Sequence, residues 1–436
     1  MKKLTYIVIG AGGRGQHYME EAQLHGGYEL VGVADPHDWR RNHAKELYNL
    51  PEDRCFTHYD DLLALGKIAD FAVIATQDKM HIEPALKAIE LGYDLLLEKP
   101  VAPTPEECLK IADAAEAKGV KVLVCHVLRY GPFWRKVKEI IDSGKLGKIM
   151  SISHVEAVGN IHQSHSFIRG PWRNSVESSP MLLQKSCHDL DLLQWLLGAE
   201  CKKVQSFGSL SYFNKANCPE GAPHRCIDGC PVGDTCPYNA VKVYLERPYK
   251  DVAWVTKHAI QHEGYTDEEV KQMLRETDYG VCVFQSKNDV VDHQTVNLEY
   301  EDGQTACMTM AAFNYGGRRI HIMGTKGELI STDSRKIDLL EFSDEDPASE
   351  TYGYRKHQIL DTSEVAGDQT IAGGHGGGDA GIIKDLYLLL AEGKSTPSIT
   401  SIRTSVNNHL TVFAAEKSRA TDTVVYMDDY VETLRK

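Results

Sequence analysis

The feature that most constrains this chain is a glycine-rich turn near its start. An apolar run at residues 4–9 (LTYIVI) leads directly into residues 10–15 (GAGGRG), and a helical segment follows from Gln16 to His25. In such a strand, G-x-G-x-x-G, helix unit, the glycines permit a tight turn, the approach of a pyrophosphate and close helix packing. The free N–H groups at the helix start would face the phosphates. The pattern predicts a dinucleotide-binding α/β domain, with a glycine-rich turn of another α/β protein as the alternative.

The second predicted strand bears on the choice of cofactor. It runs from Tyr28 to Ala34 and ends in Asp35, twenty residues after Gly15. A carboxylate at that place accepts hydrogen bonds from the adenosine ribose and repels a 2′-phosphate. The sequence therefore predicts NAD as the cofactor, with NADP disfavoured. Arg40 and Arg41 follow one turn later, and we interpret them as a solvated helix face.

Composition argues against several classes of function. The chain of 436 residues has a formal net charge of −14, whereas nucleic-acid binding needs clustered Lys and Arg. No apolar run reaches the roughly 18 residues that a membrane helix requires. The cysteine count is odd, at eleven, which suits a reducing cytoplasm better than a disulfide framework. We expect a cytoplasmic protein that acts on a small molecule and binds neither nucleic acid nor a membrane.

The pattern along the chain predicts two domains. Up to about residue 125, buried strands alternate with helices, which is typical of a parallel sheet covered on both faces. From about residue 148, short alternating segments joined by tight turns predict a mostly antiparallel sheet. We place a Rossmann domain at 1–127 and an open-faced α+β domain with flanking helices at 128–436, with a cysteine-rich loop at about 213–255. The predicted strands of the second sheet are Lys148–Val158, Lys203–Tyr212, Gln294–Tyr300, Thr305–Phe313, Arg318–Met323 and Lys336–Phe342.

Polar residues gather where the predicted parallel strands end, and ligands of such sheets bind at that edge. Thr76 follows the fourth strand, and His81 lies one turn into the next helix. Glu98-Lys99-Pro100 follows the fifth strand. A surface ion pair beside a turn is the alternative for Glu98 and Lys99. The predicted cofactor-binding residues are Gly10, Gly12, Gly13, Arg14, Gly15, Asp35, Thr76, His81, Glu98 and Lys99.

These motifs and two further segments resemble one family. The segments are His126 with residues 129–132 (RYGP), and residues 187–193 (CHDLDLL). In this combination the chain is similar, over essentially its whole length, to the glucose–fructose oxidoreductase and inositol dehydrogenase family (Gfo/Idh/MocA). The resemblance implies that NAD or NADP is bound and that a sugar or cyclitol carbon is oxidised or reduced at the face of an open sheet. It also implies a dimer or tetramer formed through that sheet, and a Lys99 that orients the substrate and shuttles a proton.

The predicted helix from Pro180 to Leu197 supplies the second half of the site. At 100° per residue, Gln184, His188 and Asp191 lie on one stripe. His188 is our candidate to take the hydroxyl proton as a hydride leaves, because the pKa of histidine lies near neutrality. A hydrogen-bonded structural histidine is the alternative. The better-known relatives carry Asp where this chain has Gln184, and the adjacent Lys185, our third catalytic candidate, would lower the pKa of His188 by repulsion.

Further residues are predicted to line a substrate cavity. The segment Gly170 to Arg173 resembles a substrate loop of relatives, in which Trp172 would stack on a sugar face and Arg173 would hold a hydroxyl or carboxylate. The run at residues 373–379 (GGHGGGD) would let polar groups reach a ligand with little steric bulk, and a flexible surface loop is the alternative. The predicted substrate residues are Tyr130, Trp172, Arg173, Gln184, Asp191, His375 and Asp379.

A separate cysteine cluster lies in a loop rich in Pro and Gly, which has no apolar pattern that could fold it alone. Four thiolates around one tetrahedral zinc ion could order the loop. The spacing is not a C-x-x-C pair, and Cys followed by Pro also occurs in iron–sulfur loops. We predict a structural zinc site, with an iron–sulfur cluster or free thiols as alternatives. The predicted ligands are Cys218, Cys226, Cys230 and Cys236.

Three functions fit these observations, and we favour the first. It is an NAD(P)-dependent oxidoreductase that transfers hydride between a nicotinamide cofactor and a secondary hydroxyl or keto group of a sugar, sugar derivative or cyclitol. The second is a glycoside hydrolase or lyase that oxidises its sugar transiently with tightly held NAD, which Gln184 keeps open. The third is a non-catalytic NAD-sensing regulator, and the presence of both Lys99 and His188 argues against it.

Overall fold

A computed structural model of the protein describes residues 2–246, 254–262, 264–342, 348, 356–362 and 374–435. Residues 247–253 of the predicted cysteine-rich loop and Gly373 of the glycine-dense run lie outside the described residues. The described chain forms two sheets, one parallel and one mostly antiparallel. This confirms the predicted fold class.

The first sheet has six parallel strands in the order β3-β2-β1-β4-β5-β6. This is the strand order of dinucleotide-binding domains, in which a ligand binds where the order reverses, between β1 and β4. The strands are β1 (Leu4–Ile9), β2 (Tyr28–Ala34), β3 (Cys55–Phe56), β4 (Phe71–Ile74), β5 (Asp94–Leu97) and β6 (Val122–Val124). The helices that cover it are α1 (Gly13–His25), α2 (Asp38–Tyr48), α3 (Tyr59–Leu63), α4 (Ile82–Glu90) and α5 (Pro105–Lys118).

Local sequence explains these elements well. Every residue of β4 is buried, as expected for a strand covered on both faces. Helix α5 begins where the sequence places it, because the Thr104 side chain accepts a hydrogen bond from the Glu107 N–H and Pro105 occupies the first helical position. The helix after β4 begins later than predicted, because a 3₁₀ turn over Asp78–Met80 precedes α4, and His81 is the N-cap of α4 rather than a residue one turn inside it.

The second sheet has nine strands in the order β14-β13-β12-β11-β7-β10-β9-β8-β15. Only the neighbours β7 and β10 are parallel. The strands are β7 (Ile149–Ala157), β8 (Cys201–Ser209), β9 (His293–Tyr300), β10 (Thr305–Ala311), β11 (Gly317–Gly324), β12 (Gly327–Ser331), β13 (Lys336–Glu341), β14 (Lys356–Asp361) and β15 (Val425–Tyr426). Of these, β12, β14 and β15 were not predicted.

The described helices of the second half of the chain are α6 (Pro132–Asp142), α7 (Asn160–His162), α8 (Met181–Gln184), α9 (Cys187–Leu197), α10 (Trp254–Ile260), α11 (Asp267–Glu276), α12 (Gly378–Ala391), α13 (Ile402–Thr421) and α14 (Met427–Leu434). Of these, α9, α13 and α14 contact strands of the second sheet, whereas α12 packs on α1 and β1. One apolar cluster runs from the first sheet, at Ile74 and Leu97, through Leu410 of α13 to Ile152 and Met308 of the second. None of the helices in the described ranges is long and apolar enough to cross a membrane.

The predicted single helix from Pro180 to Leu197 is wrong, because it is broken into α8 and α9 at Lys185 and Ser186. In an unbroken helix the Gln184 carbonyl would accept a hydrogen bond from the N–H of residue 188. It accepts instead from the Lys99 ammonium, at 2.8 Å. A long-range bond has therefore replaced a local one, and the stripe argument for Gln184 and His188 does not hold across the break.

A buried ion pair joins the turn after β6 to α9. Arg129 donates from Nε and Nη2 to the two carboxylate oxygens of Asp191, both at 2.6 Å. The side chains of Arg129 and Asp191 are 3% and 1% exposed. Such a pair is costly to break from one side, because the partner is left charged and without water.

We predict that Asp191→Asn lowers the free energy of unfolding by about 3 kcal/mol or more, since Arg129 would lose its buried counter-charge. Denaturant unfolding followed by circular dichroism measures this. The exposed Asp53 provides a matched control, and Asp53→Asn should change stability by less than about 0.5 kcal/mol. Equal stabilities for the two variants would contradict the prediction.

Candidate active site

The glycine turn after β1 is as tight as the sequence predicts. Gly10 has φ of 91°, and a Cβ there would lie 2.6 Å from the Ala75 carbonyl oxygen at the end of β4. At Gly15 a Cβ would lie 2.0 Å from the Gly10 carbonyl oxygen. Neither contact is possible for a real side chain, so only glycine lets α1 pack this closely on β1.

The start of α1 has room for an anionic group. Gly12 is the N-cap, and it offers no side-chain hydrogen bond to the first N–H groups of the helix. A Cβ built on Gly13 would meet nothing within 4 Å, and one built on Gly12 would meet only the Arg40 guanidinium. Open N–H groups at a helix start are a general site for phosphates, so these residues fit a dinucleotide.

Asp35 lies directly beside this turn. Its Oδ2 accepts a hydrogen bond from the Ala11 N–H at 2.8 Å, and its Oδ1 accepts one from the His37 N–H at 2.9 Å. Arg40 Nη1 lies 3.5 Å from Oδ2, and Arg41 Nη1 donates to the Asp35 carbonyl oxygen at 2.6 Å. Both arginines therefore contact Asp35, which the interpretation as a solvated helix face missed.

Arg14 extends away from the open turn into an ion cluster. It donates to Glu98 at 2.7 Å and to Asp379 at 2.6 Å. Glu98 also accepts from the Tyr18 hydroxyl at 2.7 Å. Burial pushes the pKa of Glu98 upward, but the charges of Arg14 and Lys99 outweigh it and hold that pKa below its usual value. These contacts already occupy Arg14, Glu98 and Asp379, so their predicted cofactor and substrate roles gain no support from this geometry.

Thr76 and His81 hold the turn after β4. The Thr76 hydroxyl donates to the Met80 carbonyl at 3.0 Å. His81 is buried, and its two ring nitrogens lie 2.7 Å from the Pro100 carbonyl oxygen and 3.1 Å from that of Thr76. His81 therefore links the turn after β4 to the turn after β5, and its contact with a cofactor stays a prediction.

Lys99 lies at the tip of β5, where the sequence places it. Its ammonium donates to the carbonyl of Gln184, the last residue of α8, and its N–H donates to Glu98 Oε2 at 3.0 Å. The Lys99 side chain thus reaches the break between α8 and α9, one helical turn before His188.

His188 lies close to that ammonium. Burial lowers the pKa of His188 well below its ordinary value, and the charges of Lys99 and of the nearby histidines lower it further. The ring centres of His126 and His375 lie 5.6 and 6.1 Å away. His188 is 6% exposed, and its Nδ1 has no hydrogen-bond partner among the residues that the structure describes. At neutral pH His188 is therefore an uncharged imidazole that can accept a proton.

The side chains of Gln184 and Lys185 bond to partners that the predicted helix stripe did not indicate. The Gln184 side-chain amide donates to the Ser179 carbonyl at 2.6 Å. Lys185 pairs with the buried Glu156 at 3.2 Å. After burial, the Lys99 ammonium contributes most to lowering the pKa of His188. Lys185 lowers the pKa values of His162 and His375, where burial is the larger cause.

Three of the predicted substrate residues, Tyr130, Asp191 and His375, differ in whether they can meet a ligand beside His188. Tyr130 is buried and hydrogen-bonded to Thr400 at 2.8 Å, and Asp191 is engaged with Arg129, so neither is free to meet a ligand as placed. His375 lies beside His188, and its Nδ1 is 2.9 Å from Asp379. The structure therefore supports proximity to the site for His375 and not for Tyr130 or Asp191.

Trp172 and Arg173 lie on the loop after Gly170. The indole N–H of Trp172 donates to Asp78 at 3.3 Å, and the ring lies 6.3 Å from that of His258 at an interplanar angle of 13°. Arg173 pairs with Asp278 at 2.9 Å. Their substrate contacts stay predictions.

The sequence assigned no role to two histidines around the site. His126, which carries part of the family resemblance, follows β6 at the same sheet edge as Lys99, so the rule that placed Lys99 there applies to it as well. It is 0% exposed, and neither ring nitrogen has a partner among the described residues. His162 lies near Lys99 and Lys185, and nothing beyond a histidine-rich loop signalled it.

The predicted zinc ligands do not converge into a metal site. Across the described ranges, no three His, Cys, Asp or Glu side chains are arranged to hold a metal ion. All eleven cysteines are free thiols. Cys226, Cys230 and Cys236 line a small cavity together with Cys282 and Arg169. The zinc and iron–sulfur interpretations therefore lack support and play no part in the function proposed below.

Comparison with known proteins identifies relatives along the whole chain. Among curated proteins, a putative oxidoreductase YteT of Bacillus subtilis is 27% identical over 378 residues, covering 85% of this chain and 84% of the relative. A 2,7-anhydro-N-acetylneuraminate hydratase of Escherichia coli is 27% identical over 206 residues, covering 47% of this chain and 52% of that protein. Among solved structures, a levoglucosan dehydrogenase in complex with NADH and levoglucosan has a TM-score of 0.70 at 17% identity, covering 98% of this chain and 100% of that one.

Family models assign both halves of the chain. A model described as an oxidoreductase family with an NAD-binding Rossmann fold matches residues 4–126. A model described as the GFO/IDH/MocA C-terminal domain matches residues 134–330. These matches agree with the two sheets, with the glycine turn and with the lysine at the tip of β5. The chain belongs to the Gfo/Idh/MocA family of NAD-binding oxidoreductases.

Proposed function

We propose that this protein transfers a hydride between NAD and a secondary hydroxyl or keto group of a sugar, sugar derivative or cyclitol. The observation that carries the proposal is the convergence of Lys99 and His188 at the edge of the first sheet. The Lys99 ammonium donates a hydrogen bond to the last carbonyl of α8, and its positive charge lowers the pKa of His188 at the start of α9. An ammonium and a neutral imidazole together can bind and deprotonate one hydroxyl group.

The residues present fit the cofactor. Gly10, Gly12, Gly13 and Gly15 leave the start of α1 open to a pyrophosphate, and Asp35 lies beside that turn. When bound, the nicotinamide ring accepts a hydride from the substrate carbon or returns one to it. We also propose that the boundary between the two domains lies near residue 127. The glycine turn then belongs to the first domain and His188 to the second.

The chain's own residues would handle the substrate oxygen. His188 is neutral, so it removes the hydroxyl proton as the carbon becomes a carbonyl, and returns it in the reverse direction. Lys99 donates a hydrogen bond to the same oxygen and stabilises the negative charge that develops there. His375 and Lys185 are further candidates at the same cleft, Trp172 would offer a flat apolar face to a sugar ring, and Arg173 would bind a polar group beside it.

A second candidate is a lyase or hydratase that oxidises its substrate only transiently. The E. coli relative named as a 2,7-anhydro-N-acetylneuraminate hydratase favours it. So does the chain's own site, because Gln184 bonds to Ser179 and no carboxylate in the described part of the chain bonds to His188. In that case NAD would be retained and regenerated in each turnover.

The central prediction is that Lys99→Met and His188→Ala each lower kcat by about 10²-fold or more, because each removes a group that acts on the reacting oxygen. The measurement is NADH formation with a panel of sugars, sugar acids, glycosides and inositols, with product analysis in parallel. NADH formation supports the dehydrogenase, whereas a changed sugar without net NADH supports the second candidate.

The exposed Lys145 and His43 serve as matched controls, and Lys145→Met and His43→Ala should leave kcat within about twofold. Fluorescence titration with NADH should give similar affinities for all four variants, because the phosphate-binding turn is untouched. The proposal fails if Lys99→Met and His188→Ala turn over as fast as the controls do.

Cofactor preference gives a separate prediction. Asp35→Ser should weaken NADH binding and strengthen NADPH binding on the order of tenfold, since the repulsion of a 2′-phosphate is lost while Arg40 remains beside it. Fluorescence titration with both cofactors measures this without any substrate. Adding Arg40→Ser should abolish the gain in NADPH affinity. A preference that stays unchanged in Asp35→Ser would contradict the assignment of Asp35.

We also propose a cytoplasmic protein that assembles through the open face of the second sheet. On the face opposite the buried core, Phe207 of β8 is 53% exposed, and Val155 of β7 and Leu340 of β13 are half-buried. Light scattering should give the mass of two or four chains. Phe207→Glu should shift that mass towards one chain without changing the circular dichroism. A monomer in the unmodified protein would contradict the proposal.

A further inference from the structure

Asp78 is a buried carboxylate in the turn after β4, and three donors from one loop converge on it. Oδ1 accepts from the indole N–H of Trp172 at 3.3 Å. Oδ2 accepts from the hydroxyls of Ser178 and Ser179, at 3.0 and 2.8 Å. Asp78 is 5% exposed, and within the described part of the chain no Lys, Arg or His forms an ion pair with it. A carboxylate is the natural acceptor for three donors, because each oxygen offers two lone pairs.

Three hydrogen bonds, linked through the residues Ser179 and Gln184, connect this carboxylate to Lys99. The Ser179 hydroxyl donates to Asp78, and the Ser179 carbonyl accepts from the side-chain amide of Gln184 at 2.6 Å. The Gln184 carbonyl in turn accepts from the Lys99 ammonium at 2.8 Å. Each link is buried or partly buried, so water competes weakly for these groups.

The same carboxylate also fixes Trp172. Because Trp172 and Ser179 bond to different oxygens of one side chain, Asp78 sets the position of both ends of the loop between them. A shift of one end relative to Lys99 would displace a substrate held between Trp172 and the ammonium. Displacements of about 1 Å are enough to cost large factors in rate.

We propose that Asp78 is a positioning residue that couples the cofactor side of the cleft to the substrate side. It holds Trp172 in place and, through Ser179 and Gln184, holds the carbonyl that orients the Lys99 ammonium. The kinetic part of this inference rests on the proposed function, whereas the structural part does not. Two measurements that need no turnover therefore test it first.

The first measurement follows the two groups that Asp78 holds. In Asp78→Ala, competitive acylation should label Lys99 at least about threefold faster, because the carbonyl that binds its ammonium is no longer fixed. With ¹⁵N-labelled tryptophan, the indole N–H signal that disappears in Trp172→Phe should shift in Asp78→Ala. Asp78→Asn keeps the shape and one acceptor oxygen, so it should show smaller changes of the same kind, and it decides the matter should Asp78→Ala not fold.

Asp289, in the segment before β9, supplies a control that bonds to the same loop. It accepts from the N–H and the hydroxyl of Ser175, at 2.6 and 2.9 Å, but no hydrogen bond among the described residues joins its carboxylate to Lys99. Asp289→Asn should therefore loosen the loop without changing the labelling of Lys99 or the Trp172 signal. Equal effects of Asp289→Asn and Asp78→Ala, or no effect of Asp78→Ala on either signal, would overturn the inference.

Kinetics separate this inference from the proposed function. With any substrate that the panel identifies, Asp78→Ala should lower kcat/KM about 10- to 100-fold, while NADH affinity stays within about twofold. Asp78→Ala combined with Trp172→Phe should lose less than the sum of the two single changes, because both remove one contact. An unmodified protein that turns over no substrate would defeat the proposed function, and the labelling and indole measurements would still decide the role of Asp78.

Discussion

One guanidinium holds the active-site edge of this protein together. Arg14, which belongs to the glycine turn, bonds to Glu98 at the tip of β5 and to Asp379 in the first turn of α12. Both carboxylates are buried, and either would be strongly destabilising without a counter-charge. Glu98 in turn accepts from the N–H of Lys99. The cofactor turn, the lysine and the C-terminal half are therefore connected through a single guanidinium, which is partly exposed while both of its carboxylate partners are buried.

What the sequence predicts well is local. The glycine turn, Asp35 at the end of β2 and the cap of α5 all depend on residues a few positions apart, so spacing alone identifies them. The first sheet follows from the same logic, because fully buried apolar runs alternate with helices. Lys99 was found because a rule of topology, that ligands meet the carboxyl ends of parallel strands, needs no knowledge of distant contacts.

What the sequence does not predict is decided by partners far along the chain. Asp191 was expected to face a substrate, and it bonds to Arg129, 62 residues away. Asp379 was expected to do the same, and it bonds to Arg14, 365 residues away. Periodicity predicts which face of a helix a residue occupies. It does not predict which charged residue from a distant part of the chain packs against that face. The break between α8 and α9 also involves a distant partner. The Gln184 carbonyl accepts a hydrogen bond from Lys99, 85 residues away, instead of from the N–H of residue 188.

In the proposed function His188 acts as a base without a carboxylate partner, because Gln184 bonds to Ser179 and no carboxylate of the described residues bonds to the imidazole. His188 is surrounded by Lys99, His126 and His375, and burial together with these neighbours lowers its pKa. Protonated His188 is therefore disfavoured, which makes it a weak base that is almost always in the accepting form. The same environment disfavours keeping the proton, so the imidazolium must pass it on before the next turnover. A site of this kind suits both a dehydrogenase, which releases the proton to solvent and NADH as a product, and an enzyme that returns the proton and the hydride to its substrate. The two proposed functions therefore differ in the fate of the proton and of the hydride.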